Sequence, residues 1–460
     1  MRTPPGLLCL LALAAPMSLF AAQVYYADQP TGSPGSIRKV GLDGNAPGIV
    51  ITYPGLPNLR GIAFHRASGR IYILDNAAKV IRSVFPNGSS QIDVTPIDPS
   101  LLGSDLEVDE SGSKIFWSET RTGATGDGFI RSANLDGTGL ATAVSAGPGS
   151  ESPYFIHLDR AGGFIYWGAL EATSSQNNPT SFRRASFAGV IDPTFAIVTP
   201  TRSRDIAVDP TTSIAYWADR QTGAIYRRLL AGGFNETVIS GMNAPHGVAI
   251  DVQARKVYWA DTGQRGSGGG ASSRRVARCN FDGTELDILT PTDGFNEPWD
   301  LALDLRSPTF ADWRSRFFSS TTPLRSPLDD ADGDGDENVL EYAFDSNPRD
   351  GTAMNTPTAT AKGLTYSRRR VSTLTYRVEV STDLANWRYN GDGSGQIWTT
   401  EDSVTPIDEE MDAVVIEPVA ALASAAQLHY RVHVSTSETI AAPLFKTLKQ
   451  QPRRSPLRRK

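Results

Sequence analysis

One short phrase recurs six times along this 460-residue chain: an aliphatic residue, an aromatic pair or its equivalent, then a small and usually an acidic residue. It reads Val24-Tyr25-Tyr26-Ala27-Asp28, Ile71-Tyr72-Ile73-Leu74-Asp75 and Ile115-Phe116-Trp117-Ser118-Glu119. It returns as Ile165-Tyr166-Trp167-Gly168, Ala215-Tyr216-Trp217-Ala218-Asp219 and Val257-Tyr258-Trp259-Ala260-Asp261. A period of roughly 40–50 residues built from short strands marks a propeller with one blade per repeat.

A second phrase comes about ten residues before most copies of the first, as in Asp105-Leu106-Glu107-Val108-Asp109 and Asp205-Ile206-Ala207-Val208-Asp209. Its alternation is that of a strand closed by an acidic turn residue. The two phrases are out of step at the ends. Tyr25 has no partner before it, and Leu301 to Asp304 has none after it. If the chain closes on itself, the orphans complete one blade, and six blades form a ring without exposed edges. Polar third strands ending in Asp-Gly, such as Ile130 to Gly137, and outer strands such as Glu236 to Ile239 bring each blade to four strands.

The phrases resemble the YWTD (class B) repeats of the low-density-lipoprotein-receptor family over about residues 23–305. Trp167, Trp217 and Trp259 with their tyrosines carry most of the likeness. The resemblance implies a six-bladed propeller and says less about biological role.

If each inner strand runs down from a top face, the residues entering those strands ring the mouth of the channel. They are Arg60, Ser104 with Asp105, Tyr154, Arg204 with Asp205, His246, and Trp299 with Asp300. Cations, carboxylates and aromatics in one ring suit ligand binding. A salt-bridge ring that plugs the channel is the competing reading. The long insertions after aromatic phrases, Thr120–Gly128, Ala169–Ser181 and Thr262–Ser273, fall on the same face. The repeated Asp28, Asp75, Glu119, Asp219 and Asp261 read as turn and interblade hydrogen-bonding residues. A propeller hydrolase or lyase acting at the mouth is the alternative function. His65, His157 and His246 lie at different depths of three blades, and no Gly-x-Ser-x-Gly or His-Glu-x-x-His phrase occurs, so no catalytic residue is assigned.

Beyond Asp304 the pattern changes. Phe310 to Phe318 reads as a short amphipathic helix, followed by a Ser/Thr/Pro linker. Asp330-x-Asp332-x-Asp334-Gly335 closed by Glu341 then matches the spacing of a twelve-residue calcium loop. Asp330, Asp332 and Asp334 would give side-chain oxygens, Asp336 its carbonyl, Asn338 the water-mediated position and Glu341 a bidentate carboxylate, so Ca2+ is the expected cofactor. With Pro323 and Pro327 interrupting any entering helix, the loop resembles those of dockerin and thrombospondin type 3 repeats. Strand patterns from Leu364 to Val434 predict a small β-sandwich. Together with Thr375 to Trp387, they are similar to the C-terminal modules of exported bacterial proteins.

The expected partition is 1–22 export signal, 23–305 propeller, 306–350 linker with the calcium loop, 351–437 sandwich and 438–460 basic disordered tail. Leu7 to Ala15 is too short to span a membrane and suits a signal's apolar core. Forty-four basic and fifty acidic residues argue against a nucleic-acid partner. With Cys9 in the signal, Cys279 stands alone and no intramolecular disulfide is possible. These readings converge on a monomeric, all-β, secreted or cell-envelope protein without a transmembrane segment. Its propeller would bind a protein or glycan.

Overall fold

The computed structural model describes residues 22–30, 32–55, 57–121, 128–146, 152–170, 181–198, 202–263, 274–290, 297–319, 321–351, 355, 357–360, 363–370, 374–408, 410–423, 425, 427–436 and 444–449. The expected export signal lies outside them up to residue 21, and Ala22 is buried against the first blade.

Six four-stranded antiparallel sheets are arranged as blades. Blade 1 is assembled from both ends of the repeat region: Pro298–Asp304, then Gln23–Asp28, Ser36–Gly41 and Gly48–Thr52. Tyr26 faces Leu301 in this ladder and Val24 faces Leu303, so the orphan phrases do complete one sheet. Blades 2 to 6 follow with inner strands Leu59–His65, Leu102–Asp109, Ser152–Asp159, Ser203–Asp209 and Pro245–Asp251. Successive inner strands are neighbours around the ring, including the last pair between blades 6 and 1.

The aromatic pair has a packing reason. Consecutive strand residues face opposite sides, so each blade sends one aromatic to each neighbour. Tyr216 lies in the core between blades 5 and 6, and Trp217 in the core between blades 4 and 5. Tyr166 joins that second core from the other side, while Trp167 packs toward blade 3. Trp117, Trp167, Trp217 and Trp259 are all fully buried. The six interblade cores are therefore filled by the same two positions of each repeat. Cys279 is buried in one of them, where burial pushes its thiol up to about 12.

The acidic residues close turns as expected. Asp75 accepts from the amides of Asn58, Ala77 and Ala78 and pairs with Arg82. Asp261 accepts from Ala244 and Gly263. His65 replaces the aspartate that ends the other inner strands, and its Nδ1 accepts from the Ser68 amide in the same manner.

On the bottom face, helix α1 (Phe310–Phe317) is docked against blade 6. It starts with a capping box between Thr309 and Asp312. Trp313, Phe317 and Phe318 bury themselves with Ala254 of the blade and with Val339 and Tyr342 of helix α2 (Asn338–Phe344). Arg316 makes a bidentate, buried ion pair with Asp251. Burial pushes the Asp251 carboxyl up, but the Arg316 guanidinium overrides it and holds it below the usual carboxylate range. Arg278 is fully buried too, donating to the carbonyls of Arg316 and Phe318 and to Tyr258 Oη.

The C-terminal module has two sheets. One is ordered Thr358–Ala359, Leu364–Arg369, Met411–Pro418 and Thr399–Pro406; the other is Leu374–Ser381, His429–Thr436 and Leu444–Lys449. Tyr366, Val414 and Ile416 of the first pack on Val380, Tyr430 and Val432 of the second. Leu340, Ala343 and Phe344 of α2 complete this core. The segment expected as a linker is thus packed into both bodies. Leu444–Lys449 also corrects the sequence reading. Placed there in a disordered tail, it pairs as an edge strand, with Val432 facing Lys446. Its apolar Leu444, Phe445 and Leu448 stand among basic residues, so the segment reads as a charged tail.

Replacing one partner of a buried ion pair strands the other charge. Asp251→Ala should therefore lower unfolding free energy by about 3–5 kcal/mol. Chemical denaturation checks this, with the exposed pair at Arg227 and Glu236 as a control. Glu236→Ala should cost less than about 1 kcal/mol.

Candidate functional site

Every inner strand carries one irregularity at its upper end. The ladder skips Arg60 in blade 2, Ser104 in blade 3 and Arg204 in blade 5. It slips by one residue across Tyr154 and Phe155 in blade 4, and across His246 and Gly247 in blade 6. In blade 1 it skips Trp299. These are β-bulges, and a bulge re-aims a side chain that the ladder would otherwise hold to one face. The six bulges turn Arg60, Ser104, Tyr154, Arg204, His246 and Trp299 toward one shared mouth, a cavity of about 20 Å3 that Asp105, Asp205 and Asp300 also line. The structure thus brings together every residue that the sequence placed at the channel mouth. The residues anchoring the three long insertions, Thr120, Leu170 and Asp261, pair with the strand starts Leu102, Ser152 and Pro245 and so stand on the same face. Residues 122–127, 171–180 and 264–273 lie outside the described residues.

Within the mouth the aromatics hold cations. The Arg60 guanidinium lies 4.9 Å from the Trp299 ring centre, and that of Arg204 lies 5.9 Å from Tyr154. The His246 ring lies 4.2 Å from Trp299. Arg60 Nε donates to Asn58 Oδ1 at 2.6 Å, and among the described residues Arg60 forms no ion pair. The salt-bridge ring weighed from sequence is therefore not made at Arg60.

The aspartates play a different part from the one expected. Asp300, Asp105 and Asp205 stand on blades 1, 3 and 5, one step deeper than the bulged residues. Each accepts the amide that follows it, from Leu301, Leu106 and Ile206 at 2.7–2.8 Å. Each also accepts an amide of the next blade, from Ile62, Ile156 and Val248 at 2.7–2.9 Å. They staple blades in pairs and form the floor of the mouth. The even blades carry Gly61, Phe155 and Gly247 at the same position. A side chain on Gly247 would come within 2.6 Å of Asp300 Oδ1, and one on Gly61 within 2.8 Å of the Asp105 carbonyl carbon. Phe155 instead packs its ring on Phe182, over Gly168, where a Cβ would collide with it. This explains why that repeat alone has glycine after its Tyr-Trp.

Burial pushes all three carboxyls up, and for Asp105 and Asp205 the repulsion of their partners adds to it. Asp300 is raised to about 7. Below them the channel widens to about 170 Å3, lined also by Glu107 and Glu110. Glu107 meets His157 Nδ1 at 3.1 Å and Glu110 meets His65 Nε2 at 3.3 Å. The three propeller histidines do not converge. The repeat does not announce this acidic lower half, because the position of Glu107 is alanine in four of the six inner strands and Glu110 lies in the turn that follows.

The calcium loop is a second candidate centre. Carboxylate oxygens of Asp330, Asp332 and Asp334 lie within 4.8 Å of one another. Asp330 accepts from the Gly333 and Gly335 amides, which curls the loop around it, and Gly335 sits at φ 93°. Glu341, in the first turn of α2, is buried, with Oε2 lacking any hydrogen-bond partner; buried Asp332 Oδ2 also lacks one. Burial, then Asp332, Asp334, Asp336 and Asp330, push the Glu341 carboxyl up to about 8. Asn338, at the loop's water-mediated position, leaves its Oδ1 buried without a hydrogen-bond partner. Its amide donates to the carbonyls of Leu324 and Ser326, which ties down the loop's entry.

No family model matches the chain. It is 27% identical over 212 residues, 42% of its length, to low-density lipoprotein receptor-related protein 1 of Pyricularia oryzae. It is 26% identical over 231 residues, half its length, to low-density lipoprotein receptor-related protein 5 of Mus musculus. The matches span 66% and 14% of those relatives. Among solved structures, the nidogen/laminin complex overlays with a TM-score of 0.48 at 17% identity, covering 62% of this chain and 99% of that one. TolB from Acinetobacter baumannii overlays with a TM-score of 0.47 at 12% identity, covering 61% and 66%.

The floor aspartates give a pH dependence of known sign. A carboxyl whose folded pKa is raised holds its proton preferentially in the native state, so its contribution to stability falls as pH rises through the folded value. For Asp300 the fall runs from the ordinary carboxylate range to about 7. Melting temperature of Asp300→Asn, compared with the parent between pH 4 and 8, should fall less steeply over this window. The comparison of slopes removes the hydrogen bond that the amide loses at every pH.

Proposed function

We propose that the chain is a secreted or cell-envelope binding protein whose propeller mouth recognises a protein or glycan ligand. The observation that carries the reading is the set of six bulges. A sheet spends ladder pairing at one level of all six blades to aim two cations, three aromatic rings and a hydroxyl at one spot. A ring that only closed the channel would not need them, since the aspartates already staple the blades. The receptor-related names of the matched proteins support a binding role rather than catalysis. Among the described residues no helix is long and apolar enough to cross a membrane, and the sequence's signal-like start supports export.

The calcium loop belongs to the same reading. The donor set fits a hard cation: three clustered carboxylates, a buried glutamate with an unsatisfied oxygen, and mutual repulsion that a divalent ion would cancel. Asp330, Asp332, Asp334, Glu341 and the Asp336 carbonyl would hold Ca2+. The ion would supply charge neutralisation and a rigid turn at the start of α2. Because α2 is packed into the sandwich and, through Tyr342 and Val339, against α1, a fixed loop stiffens the joint beneath the propeller.

Two measurements test these proposals. A phage-displayed random peptide library panned on the full chain should yield binders that lose affinity for Tyr154→Ala and Trp299→Ala but not for an outer-strand variant such as Thr237→Ala. Binders indifferent to the mouth, or none that compete with one another, would remove the reading. For the loop, calcium at about a hundredfold excess over its Kd should stabilise the parent by about 2.7 kcal/mol. Glu341→Gln should abolish most of that shift in melting temperature while leaving the calcium-free melt of the propeller in place.

A further inference from the structure

We propose that the calcium loop is a folding switch for the C-terminal module: ion binding closes α2, α2 in turn closes the sandwich, and the propeller stands without either. The inference rests on the calcium reading of the loop and names what the ion controls.

Helix α2 is not built to stand alone. It has seven residues, well short of the roughly 12–15 that a helix needs to persist by itself in water. Its N-cap, Glu337, makes no side-chain hydrogen bond. The first amides of α2 are taken up instead by the chain entering the loop. Asn338 N donates to the Asp329 carbonyl at 2.8 Å, and Val339 N to the Pro327 carbonyl at 3.0 Å. Asn338 Nδ2 holds the Leu324 and Ser326 carbonyls at 3.1 and 2.8 Å. So α2 is capped only while the loop is folded back on its own entry.

Charge opposes that folding. It brings oxygens of Asp330, Asp332 and Asp334 within 4.8 Å of one another. It also buries Glu341 of the first turn of α2, with Oε2 unpartnered, and leaves Asp332 Oδ2 buried in the same condition. A divalent cation turns the repulsion into attraction and ties Glu341 to the aspartates at the other end of the loop. Asn338 joins the two halves of the device. Its Oδ1 is buried without a partner at the position where such a loop meets its ion through water, while its Nδ2 holds the entering chain.

The sandwich depends on α2 in turn. Leu340, Ala343 and Phe344 are part of its core. Arg369, on a strand of the first sheet, is buried, and its guanidinium donates to the Tyr342 carbonyl at 2.6 Å and to Asp345 Oδ1 at 2.9 Å. The Tyr376 hydroxyl donates to the Ala343 carbonyl at 2.7 Å. Unwinding α2 would empty three apolar positions in the core and strip a buried cation of two acceptors, and both changes are strongly unfavourable. The ring is built otherwise. Among the described residues, none of the six interblade cores draws on a residue beyond Leu305. α1 keeps its capping box and the Arg316 pair with Asp251 whatever α2 does.

The experiment uses the full chain and calcium itself. Isothermal titration gives the Kd. Amide hydrogen exchange is then followed by mass spectrometry, with excess chelator and with free calcium at about a hundred times Kd. An opening that releases the ion becomes about a hundredfold rarer at that excess. Peptides covering Leu364–Arg369, Met411–Pro418 and His429–Thr436 should therefore exchange about a hundredfold more slowly with the ion than without it. Ring peptides covering Ile214–Asp219 and Lys256–Asp261 should change by less than about twofold, as a separate cooperative unit does. In Glu341→Gln the sandwich should exchange at the chelated rate under both conditions. Calcium binding with sandwich exchange unchanged in the parent would overturn this inference and leave calcium in the loop. Slowing shared equally by ring and sandwich would overturn it too, because the chain would then respond as one unit. Absence of any calcium binding would remove the calcium reading and this inference together.

Discussion

Six inner strands share one axis, and the room there is too small for six ordinary side chains at one level. The sequence of this chain answers that crowding by alternation. Aspartates on the odd blades reach sideways and take an amide from the next blade. Glycines on blades 2 and 6 let the neighbouring backbone approach, and on blade 4 Phe155 swings out into its own blade over Gly168. The propeller is consequently built of three stapled pairs rather than six equivalent blades. Closure of the ring by Gln23–Asp28 against Pro298–Asp304 gains a second tie at the Asp300 staple, since Asp300 binds the blade that follows the closing sheet.

The staples carry a cost in charge. Three carboxyls in one buried layer cannot all ionise without repulsion. Each is offset by two amide hydrogen bonds, which favour the ionised form, yet burial outweighs them for all three. The same layer separates the arginine-lined mouth from the glutamate-lined lower channel. One structural device therefore ties the blades, holds protons and separates the mouth from the lower channel.

Much of this was legible because the repeat is regular. Adjacent aromatics must face opposite ways in a strand, so Tyr216 and Trp217 announce two interblade cores at once. The orphan phrases at Tyr25 and Leu301 announce the closed ring. The mouth residues were found by counting to the start of each inner strand, but the reason they face the mouth was hidden. A bulge is a one-residue slip between two strands, and no single strand's sequence shows it. The alternation Gly61, Asp105, Phe155, Asp205, Gly247, Asp300 was present in plain view; reading it needs the knowledge that those six positions are level. The spacing gives Asn338 its place in the calcium loop, but not that its Nδ2 also holds carbonyls of the incoming chain, since those partners lie twelve and fourteen residues upstream. The strand Leu444–Lys449 is hidden because its sequence does not alternate and its pairing partner lies in another strand.

The two candidate centres sit on opposite faces, and this matters for how they relate. α1, the calcium loop and the sandwich are fastened to the bottom of blade 6 by Arg316 on Asp251, by the buried Arg278, and by Arg349 on Glu285. Asn347 adds a bond to the Gln253 carbonyl in the same turn. Those contacts consume the lower turns of the ring, where Glu410 also meets Arg66 of blade 2. Nothing of the C-terminal module reaches the mouth among the described residues. The C-terminal module thus holds the ring from below, and the six bulges lie at its other end. The two ends are separated by the height of the inner strands, with the stapled aspartate layer between them.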